Sequence, residues 1–291
     1  MKKILSLALI VMLAVGLLAG CGQKTTEQPQ QEAEQQEAAT LAGKVVIAGS
    51  TSVQPLSDEL AAAFTEKNPD VQIEVQGGGS SVGVKSAIDK IVDIGMSSRD
   101  LKEEEKSSGL TEYVIAKDGI AVVVNPTSKV EDLTIEQIKK IFTGEITNWK
   151  EVGGEDKSIT VVSREEGSGT RGAFIEITGV EGKDASGNKG DLTTKNALVQ
   201  PSTGAVKQTV ANTPDSIGYV SMGALDDTVK TLKVEGVEAT EENAKNGSFK
   251  ISRPFLFLTN GEESETVKAF IEFIMSAEGQ EIVAQEFISV K

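Results

Sequence analysis

Residues 163–174 have the sequence SREEGSGTRGAF. The stretch contains G-x-G-x-x-G, which is typical of a dinucleotide-binding loop. It is also rich in hydrogen-bond donors and includes Arg164, as an anion-binding turn would. The apolar residues 159–162 predict a strand leading into it, and residues 172–177 predict the start of a helix. The stretch therefore predicts a strand–turn–helix unit that holds either a dinucleotide or a bare anion.

Two more turns of this kind, and a weaker third, occur earlier in the chain. AGSTS (residues 48–52) lies between a predicted strand and a predicted helix, and so does GGGSS (residues 77–81). The weaker cluster, MSSR (residues 96–99), follows a predicted strand. Glycine lets the backbone approach a ligand, hydroxyls add uncharged donors, and the first N–H groups of a helix lack intrahelical partners. Three such turns at one point would replace the hydration shell of a small oxyanion, although N-capping alone would explain any one of them.

The dinucleotide alternative requires an acidic residue at the end of a second strand. Asp191 has about the right spacing, but residues 178–190 are polar and predict a surface loop with no strand ahead of it. The bare anion is therefore favoured.

Two other features fit structural roles better than chemical ones. Ser186 and Lys189 form an S-x-x-K pattern as in Ser-Lys hydrolases, but the pattern lies inside the predicted loop and no S-D-N element accompanies it. Trp149, the only tryptophan, follows a predicted helix end and a turn. We therefore expect it to pack in a core or hinge rather than to stack on a ligand.

The alternation of strand and helix patterns predicts the fold class. Beyond the turns, strands are predicted at residues 120–124, 217–221, 229–234 and 255–259, and helices at residues 134–142, 196–212 and 267–274. Such alternation is typical of α/β proteins with mostly parallel sheets.

The first twenty residues have the anatomy of a secretory signal peptide, with Lys2 and Lys3 ahead of the apolar residues 4–18. The motif LAGC at the end of this segment resembles a bacterial lipobox, in which the cysteine becomes lipidated. Cys21 is the only cysteine of the chain. Lipid such as palmitate on Cys21 would anchor the protein to the outer face of the cell membrane. Residues 21–42, rich in Gln, Glu, Ala and Thr, predict a disordered linker.

Charge and composition exclude several classes of function. The formal net charge is −15, and without Lys2 and Lys3 27 basic residues remain against 44 acidic ones, a net charge of −17. Nucleic acid is therefore not expected as a partner. An anion site is still compatible with this negative net charge, because binding there depends on the donors close to the ligand. The chain has no histidine, which excludes His-dependent catalysis and His-ligated metal sites. We expect no enzymatic activity, no metal and no cofactor.

The sequence resembles the phosphate-binding lipoproteins (PstS family) of bacterial Pst-type ABC transporters. The resemblance rests on motifs that follow one another in the family's order: AGSTSVQP (48–55), GGGSSVGVK (77–85), DIGMSSR (93–99), IFTGEITNW (141–149), SREEGSGTR (163–171), IGYV (217–220) and SRP (252–254).

The resemblance implies the site residues. Phosphate would be held by donors from three turns and by the guanidinium of Arg164, which Glu166 would hold in place. The residues so implied are Ser50, Thr51, Ser52, Ser80, Ser98, Arg99, Arg164, Ser168, Gly169 and Thr170.

One position departs from the family pattern. The best-known members have an Asp that accepts the proton of phosphate, where this chain has Ser98 followed by Arg99. A ligand O–H that faces only donors costs about 1–3 kcal/mol, and a serine oxygen accepts more weakly than a carboxylate. Selectivity between phosphate and sulfate is thus less firmly implied than oxyanion binding. Arg99 would either touch the ligand or form a salt bridge to Asp100 or Glu103.

The resemblance also implies a two-lobed α/β fold of the periplasmic-binding-protein type (type II), which closes like a clamshell. We predict a first lobe of residues 43–118 plus 254–291 and a second of residues 119–253. The predicted function is a lipid-anchored, extracytoplasmic receptor that delivers inorganic phosphate to the permease subunits of an ABC transporter. Alternatives are a receptor for another tetrahedral oxyanion such as sulfate or molybdate, a surface serine hydrolase using Ser186 or Ser168, and an adhesion or signalling role.

Overall fold

The computed structural model of the chain describes residues 41–183 and 186–291. Short runs of β-branched residues form its strands, and capped amphipathic segments between them form its helices. In chain order the strands are β1 (Gly43–Gly49), β2 (Val71–Gly77), β3 (Ile94–Ser97), β4 (Leu110–Val124), β5 (Asp132–Leu133), β6 (Thr160–Arg164), β7 (Glu181–Lys183), β8 (Lys189–Asp191), β9 (Leu198–Gln200), β10 (Ser216–Ser221), β11 (Lys230–Thr231), β12 (Lys233–Val234) and β13 (Ser252–Asn260). The helices are α1 (Gln54–Lys67), α2 (Ser80–Ile88), α3 (Glu103–Lys106), α4 (Ile135–Thr143), α5 (Gly169–Thr178), α6 (Thr203–Asn212), α7 (Glu241–Lys245), α8 (Glu265–Ile274) and α9 (Ala277–Val283), with two 3₁₀ turns at Trp149–Val152 and Met222–Ala224.

A nine-stranded sheet organises the fold, in the order β2-β1-β3-β13-β4-β10-β6-β9, with β11 paired to β4 beside this path. The pairs toward its two ends are parallel. In the middle, β13 pairs antiparallel with β3 and β4, and β10 pairs antiparallel with β4. The α/β class is therefore confirmed, whereas the expectation of mostly parallel pairing is wrong in the middle of the sheet. Hydrophobic alternation shows that a strand exists and does not show the direction of its partner.

Two sets of buried side chains divide along β4 and β13. Ile115, Ala116 and Phe255 belong to a cluster with β1, α1, α8 and α9, while Ile120 and Ile251 belong to a cluster with α4, α5 and β10. The C-terminal Ile288 packs with the second cluster, although the sequence segment around it was predicted to belong to the first lobe. The lobe boundaries at residues 118/119 and 253/254 stay a prediction.

Four predicted elements differ from the structure. The strand predicted at residues 120–124 begins ten residues earlier, at Leu110, because its half-exposed first part carries charged residues that hide the strand pattern. The predicted loop at residues 178–191 contains the hairpin β7–β8, paired from Glu181↔Asp191 to Lys183↔Lys189. The helix predicted from residue 196 begins at Thr203, and β9 before it pairs in parallel with β6.

The strand predicted at residues 229–234 is split in two. β11 pairs with β4, and β12 pairs with β5 in a separate two-stranded sheet. The predicted signal peptide, Cys21 and the linker up to residue 40 lie outside the described residues.

Candidate functional site

Hydroxyl groups from separate turns meet in one buried cluster. The Ser52 hydroxyl lies 2.7 Å from that of Thr170 and 3.0 Å from that of Thr203. Ser50 donates to the Ser98 hydroxyl oxygen at 2.8 Å, and the Ser80 hydroxyl lies 3.3 Å from the same oxygen. This hydroxyl cluster consists of Ser50, Thr51, Ser52, Ser80, Ser98, Thr170 and Thr203, each at most 4% exposed except Thr51, which is half-buried.

In the first turn, Ser50 binds the backbone N–H groups, so the hydroxyls of Thr51 and Ser52 are available for contacts with other turns. Ser50 Oγ accepts the backbone N–H groups of Ser52 and Val53 at 3.2 and 3.4 Å. Val53, the N-cap residue of α1, makes no side-chain cap hydrogen bond. Ser52 and Thr51 are thereby left to reach across to other turns.

The second turn uses a glycine to aim Ser80. Gly79 precedes α2 with φ +87°, a conformation that side-chain-bearing residues rarely adopt. Ser80 is the first residue of α2, and its hydroxyl accepts the backbone N–H of Ser98 at 3.0 Å rather than capping the helix. N-capping therefore does not account for this turn.

In the third turn, Ser168 caps α5 and Gly169 lies close to the second turn. Ser168 Oγ accepts the Arg171 N–H at 3.2 Å and so caps α5, as the capping alternative predicts. A Cβ on Gly169 would overlap the Ser80 hydroxyl and lie 2.7 Å from that of Ser98. Only glycine fits there while the second and third turns remain in contact. The backbone N–H groups of Gly169 and Thr170 belong to the first turn of α5, where helices leave donors without intrahelical partners.

Arg164 borders the hydroxyl cluster with a side chain only 2% exposed. Its guanidinium donates to Thr51 Oγ1 at 3.2 Å and to Thr203 Oγ1 at 3.3 Å. Nε and Nη2 donate to the two carboxylate oxygens of Glu165 at 2.8 and 2.7 Å. The prediction that Glu166 would hold Arg164 is therefore wrong, and the neighbouring Glu165 makes this pair.

Tyr219 fixes the backbone of Arg164. The Arg164 N–H donates to the Tyr219 hydroxyl at 3.2 Å, and that hydroxyl lies 2.9 Å from Ser163 Oγ. The Tyr219 ring stacks on Phe174 with 4.0 Å between centroids. Burial raises the pKa of Tyr219 to about 12, even though hydrogen bonds from Ser163 and the Arg164 amide act in the opposite direction. Tyr219 therefore stays neutral and accepts a hydrogen bond from the backbone of Arg164.

Arg99 has its own carboxylate partner. Its guanidinium donates to both oxygens of Glu105 at 2.7 and 2.8 Å and to the Asp100 carbonyl at 2.8 Å. A salt bridge was therefore predicted correctly, but its partner is Glu105 and not Asp100 or Glu103. Burial alone would raise the pKa of Glu105, but hydrogen bonds from Arg99 and the Lys102 amide bring it below its usual value. A contact between Arg99 and a ligand stays a prediction.

Two features singled out in the sequence have structural partners. Asp191 lies on a strand of the β7–β8 hairpin, where it pairs with Arg171 at 2.6 Å, so it does not end the second strand of a βαβ unit. Lys189 of the S-x-x-K pattern pairs with Glu181 at 2.7 Å. Asp191 therefore lacks the position that the dinucleotide interpretation requires, and Lys189 is paired with a carboxylate. Trp149 packs in the second core, 3% exposed, and donates to the Asp215 carbonyl at 2.9 Å, as the core-packing interpretation predicts.

Thr203 and the pair Asp118–Arg253 were not predicted as parts of the site from the sequence. Thr203 lies in PSTGA (201–205), a Ser/Thr/Gly cluster ahead of a helix like the other turns, but the predicted helix had absorbed it. Asp118 and Arg253 are fully buried charges within apolar strands, which is the signal that would have found them.

Open space adjoins the hydroxyl cluster. A cavity of about 290 Å³ is lined by Thr51, Ser52 and Thr203 of the cluster and also by Lys207 and Phe287. A cleft of about 850 Å³ is lined by Arg99, Ser168, Arg171 and their neighbours.

Among the described residues, no group of three or more His, Cys, Asp or Glu side chains could hold a metal ion. Across residues 41–183 and 186–291, no helix combines the length and apolar character needed to cross a bilayer.

Comparisons with known proteins agree on one family. The PBP superfamily domain matches residues 34–278. The chain is 33% identical to the phosphate-binding protein PstS of Bacillus subtilis (strain 168), over 98% of this chain and 92% of that protein. It is 31% identical to PstS of Borreliella burgdorferi, over the full length of both.

Solved structures give the same result. A protein from Clostridium perfringens, solved with bound phosphate, is 50% identical with a TM-score of 0.81, covering 86% of this chain and 100% of that one. An ABC-type phosphate transport receptor from Vibrio cholerae is 34% identical with a TM-score of 0.71, covering 85% of this chain and 100% of that one.

Proposed function

The chain belongs to the PstS family of phosphate-binding proteins in the PBP superfamily, and from this membership we propose that it captures inorganic phosphate as the substrate receptor of an ABC transporter. The Bacillus subtilis relative is a phosphate-binding protein and the Vibrio cholerae relative is an ABC-type phosphate transport receptor, so the proposed role is that of a receptor and not of an enzyme. The predicted fold class, α/β of the periplasmic-binding-protein type, is confirmed by the family and structural matches.

The observation that carries the proposal is the convergence of three turns and one guanidinium. Ser52, Ser80 and Gly169 come from different turns, and their contacts with Thr170 and Ser98 join them in one buried place. Hydroxyls and backbone N–H groups at helix N-termini stabilise an anion without carrying net charge. Arg164 adds a planar fork of donors that matches a tetrahedral oxyanion.

The proposed ligand residues follow from this place. Hydroxyls donate from each turn, the N–H groups of Gly169 and Thr170 donate from α5, and Arg164 pairs with phosphate oxygens while Glu165 orients it. The proposed set is Ser50, Thr51, Ser52, Ser80, Ser98, Arg164, Ser168, Gly169 and Thr170, with Thr203 added and Arg99 at the edge of the site.

The way the receptor works is part of the same proposal. Two lobes that meet at β4 and β13 would close over the ligand and exclude water, and the closed form would be presented to permease subunits. Residues 1–20 would act as a signal peptide and Cys21 would carry the lipid that anchors the receptor to the extracytoplasmic face of the cell membrane. Mass spectrometry of the membrane fraction, with Cys21→Ser as the comparison, tests the anchor.

Calorimetric titration of the purified protein with phosphate tests the function itself. The expected result is one tight site per chain, with sulfate and molybdate as competing anions in parallel titrations. No heat and no thermal shift with any tetrahedral oxyanion would contradict the proposal. Tight binding of sulfate or molybdate without phosphate would replace the ligand while keeping the receptor class.

A further inference from the structure

A buried ion pair lies where β4 and β13 run between the two cores. Asp118 and Arg253 are register partners in the antiparallel pairing of these strands. Nε and Nη2 of Arg253 donate to one carboxylate oxygen of Asp118 at 3.1 and 2.9 Å, and both side chains are 1% exposed. The guanidinium also lies 5.3 Å from the centroid of the Phe255 ring.

The Arg253 guanidinium also makes a hydrogen bond to a residue of the candidate site. Arg253 Nη1 donates to the backbone carbonyl of Ser98 at 3.1 Å. The second carboxylate oxygen of Asp118 accepts the Met222 N–H at 3.2 Å, which ties in the turn after β10. The pair therefore joins four separate segments, and one of them carries a hydroxyl of the cluster.

A need for stability alone does not explain a pair of this kind. Replacing a buried ion pair by apolar side chains of similar volume is often neutral or stabilising, since charges lose their hydration on burial. What apolar side chains could not supply here is the hydrogen bond to the Ser98 carbonyl.

Ser98 is held at both of its backbone polar groups. Its N–H donates to Ser80 Oγ at 3.0 Å, and its carbonyl accepts from Arg253. Its side-chain oxygen, in a fully buried residue, accepts from Ser50 at 2.8 Å and lies 3.3 Å from Ser80 Oγ. A hydroxyl has one O–H and two lone pairs. With the Ser98 O–H donated to Ser80 and one lone pair accepting from Ser50, the second lone pair is left for a ligand.

This lone pair has a specific use in the site. Phosphate near neutrality carries at least one proton, whereas sulfate carries none. Glu165 is bound through both carboxylate oxygens to Arg164, and Asp118 is bound through both of its own to Arg253 and Met222. Because these carboxylates already accept from guanidinium and amide donors, a hydroxyl oxygen of the cluster is the favoured acceptor of the ligand's proton.

We propose that Arg253, held by Asp118, is a positioning residue that aims the Ser98 hydroxyl oxygen at the proton of bound phosphate and so favours phosphate over sulfate. The inference rests on the proposed function, because it assumes phosphate in the hydroxyl cluster. Arg253 does not touch the ligand and acts through the backbone of Ser98.

The test measures the ratio of phosphate to sulfate affinity by calorimetry at one pH. The wild type is compared with Ser98→Ala, with the double variant Asp118→Leu/Arg253→Met, and with the triple variant that combines all three changes. The double variant removes both charges together, so neither is left buried and unpaired. Lys233→Met/Glu238→Leu removes a surface pair, with side chains 47% and 62% exposed, and serves as the control.

The expected result is a preference for phosphate in the wild type that falls about tenfold in Ser98→Ala and in the double variant. The triple variant should fall no further, because both changes remove the same acceptor. The control should keep the wild-type ratio. A purely structural role would lower the affinities for both anions equally and leave the ratio unchanged.

Arg253→Lys provides a second reading if the double variant does not fold. It keeps the charge but cannot reach Asp118 and the Ser98 carbonyl with a rigid fork, so the ratio should again fall several-fold. An unchanged ratio in a folded variant, a further fall in the triple variant, or equal affinities in the wild type would overturn the inference alone. A wild type that binds no phosphate would overturn the proposed function as well.

Discussion

The hydroxyl oxygens of Ser52 and Thr170 lie 2.7 Å apart, although 118 residues separate them in the chain. One belongs to the turn after β1 and the other to the first turn of α5. Together with the contacts of Ser80 and Gly169, this approach brings three separate turns to one place. The proposed phosphate site depends on that convergence more than on any single motif.

Arg164→Ala should weaken phosphate binding about a hundredfold or more. The change removes charge-assisted hydrogen bonds, each of which contributes about 1.5–3 kcal/mol, and leaves Glu165 beside the anion without its partner. Calorimetric titration measures the loss. Lys150→Ala, which also removes one positive charge but from an exposed surface pair, should bind like the wild type. Near wild-type affinity in Arg164→Ala would place the ligand elsewhere.

Gly169→Ala should hinder the approach of the second and third turns. Its Cβ would overlap the Ser80 hydroxyl, and overpacking of this kind typically costs about 1–3 kcal/mol. We expect phosphate affinity to fall about tenfold or more with the fold intact by circular dichroism. The matched control is Gly167→Ala, whose Cβ would meet only the Ser81 side chain at 3.7 Å. Equal affinities for the two variants would be evidence against a close approach at Gly169.

Ultraviolet titration of tyrosinate should resolve a step near pH 12 in the native protein. The chain has two tyrosines, and burial raises the pKa of Tyr219 from 10.0 to about 12. A raised pKa means that Tyr219 contributes stability below pH 10, and that this contribution is lost as the pH rises toward 12. Tyr219→Phe should abolish this step and leave the titration of Tyr113. If Tyr219→Phe gives the same titration curve as the wild type, the prediction is wrong.

Trp149→Phe should lower the stability of the protein without weakening phosphate binding. The variant loses the hydrogen bond to the Asp215 carbonyl and part of a buried ring, so unfolding free energy should fall by about 1–3 kcal/mol. Phosphate affinity should stay within about twofold of the wild type, because Trp149 packs in the core away from the hydroxyl cluster. Urea denaturation gives the stability change. Ile91→Ala, at a position 71% exposed, should change it by less than about 0.5 kcal/mol. A large affinity loss in Trp149→Phe would contradict the core assignment.

The sequence was most informative where a signal was local. Gly, Ser and Thr at strand–helix junctions identified the three turns, and the positions of their strands and helices were close to the structure because a buried run and a capped helix each have their own period. Thr203 had the same signal but was missed, because β9 had been included in the predicted helix.

The features that could not be predicted depend on distant partners. The antiparallel pairing of β4 with β13 joins segments more than a hundred residues apart, and apolar alternation does not encode its direction. Whether Glu165 or Glu166 faces Arg164 depends on the path of the backbone just after β6. The contact between Arg253 and the Ser98 carbonyl spans 155 residues and involves a backbone atom, so side-chain identities gave no indication of it.

A crystal structure of the protein with phosphate tests the central claim most directly. The account predicts one phosphate enclosed by hydroxyl and N–H donors from the turns at Ser52, Ser80 and Gly169, within about 3 Å of each, and paired with Arg164. Its proton should face the Ser98 hydroxyl oxygen. A phosphate bound away from Arg164, or held by only one of the three turns, would contradict it.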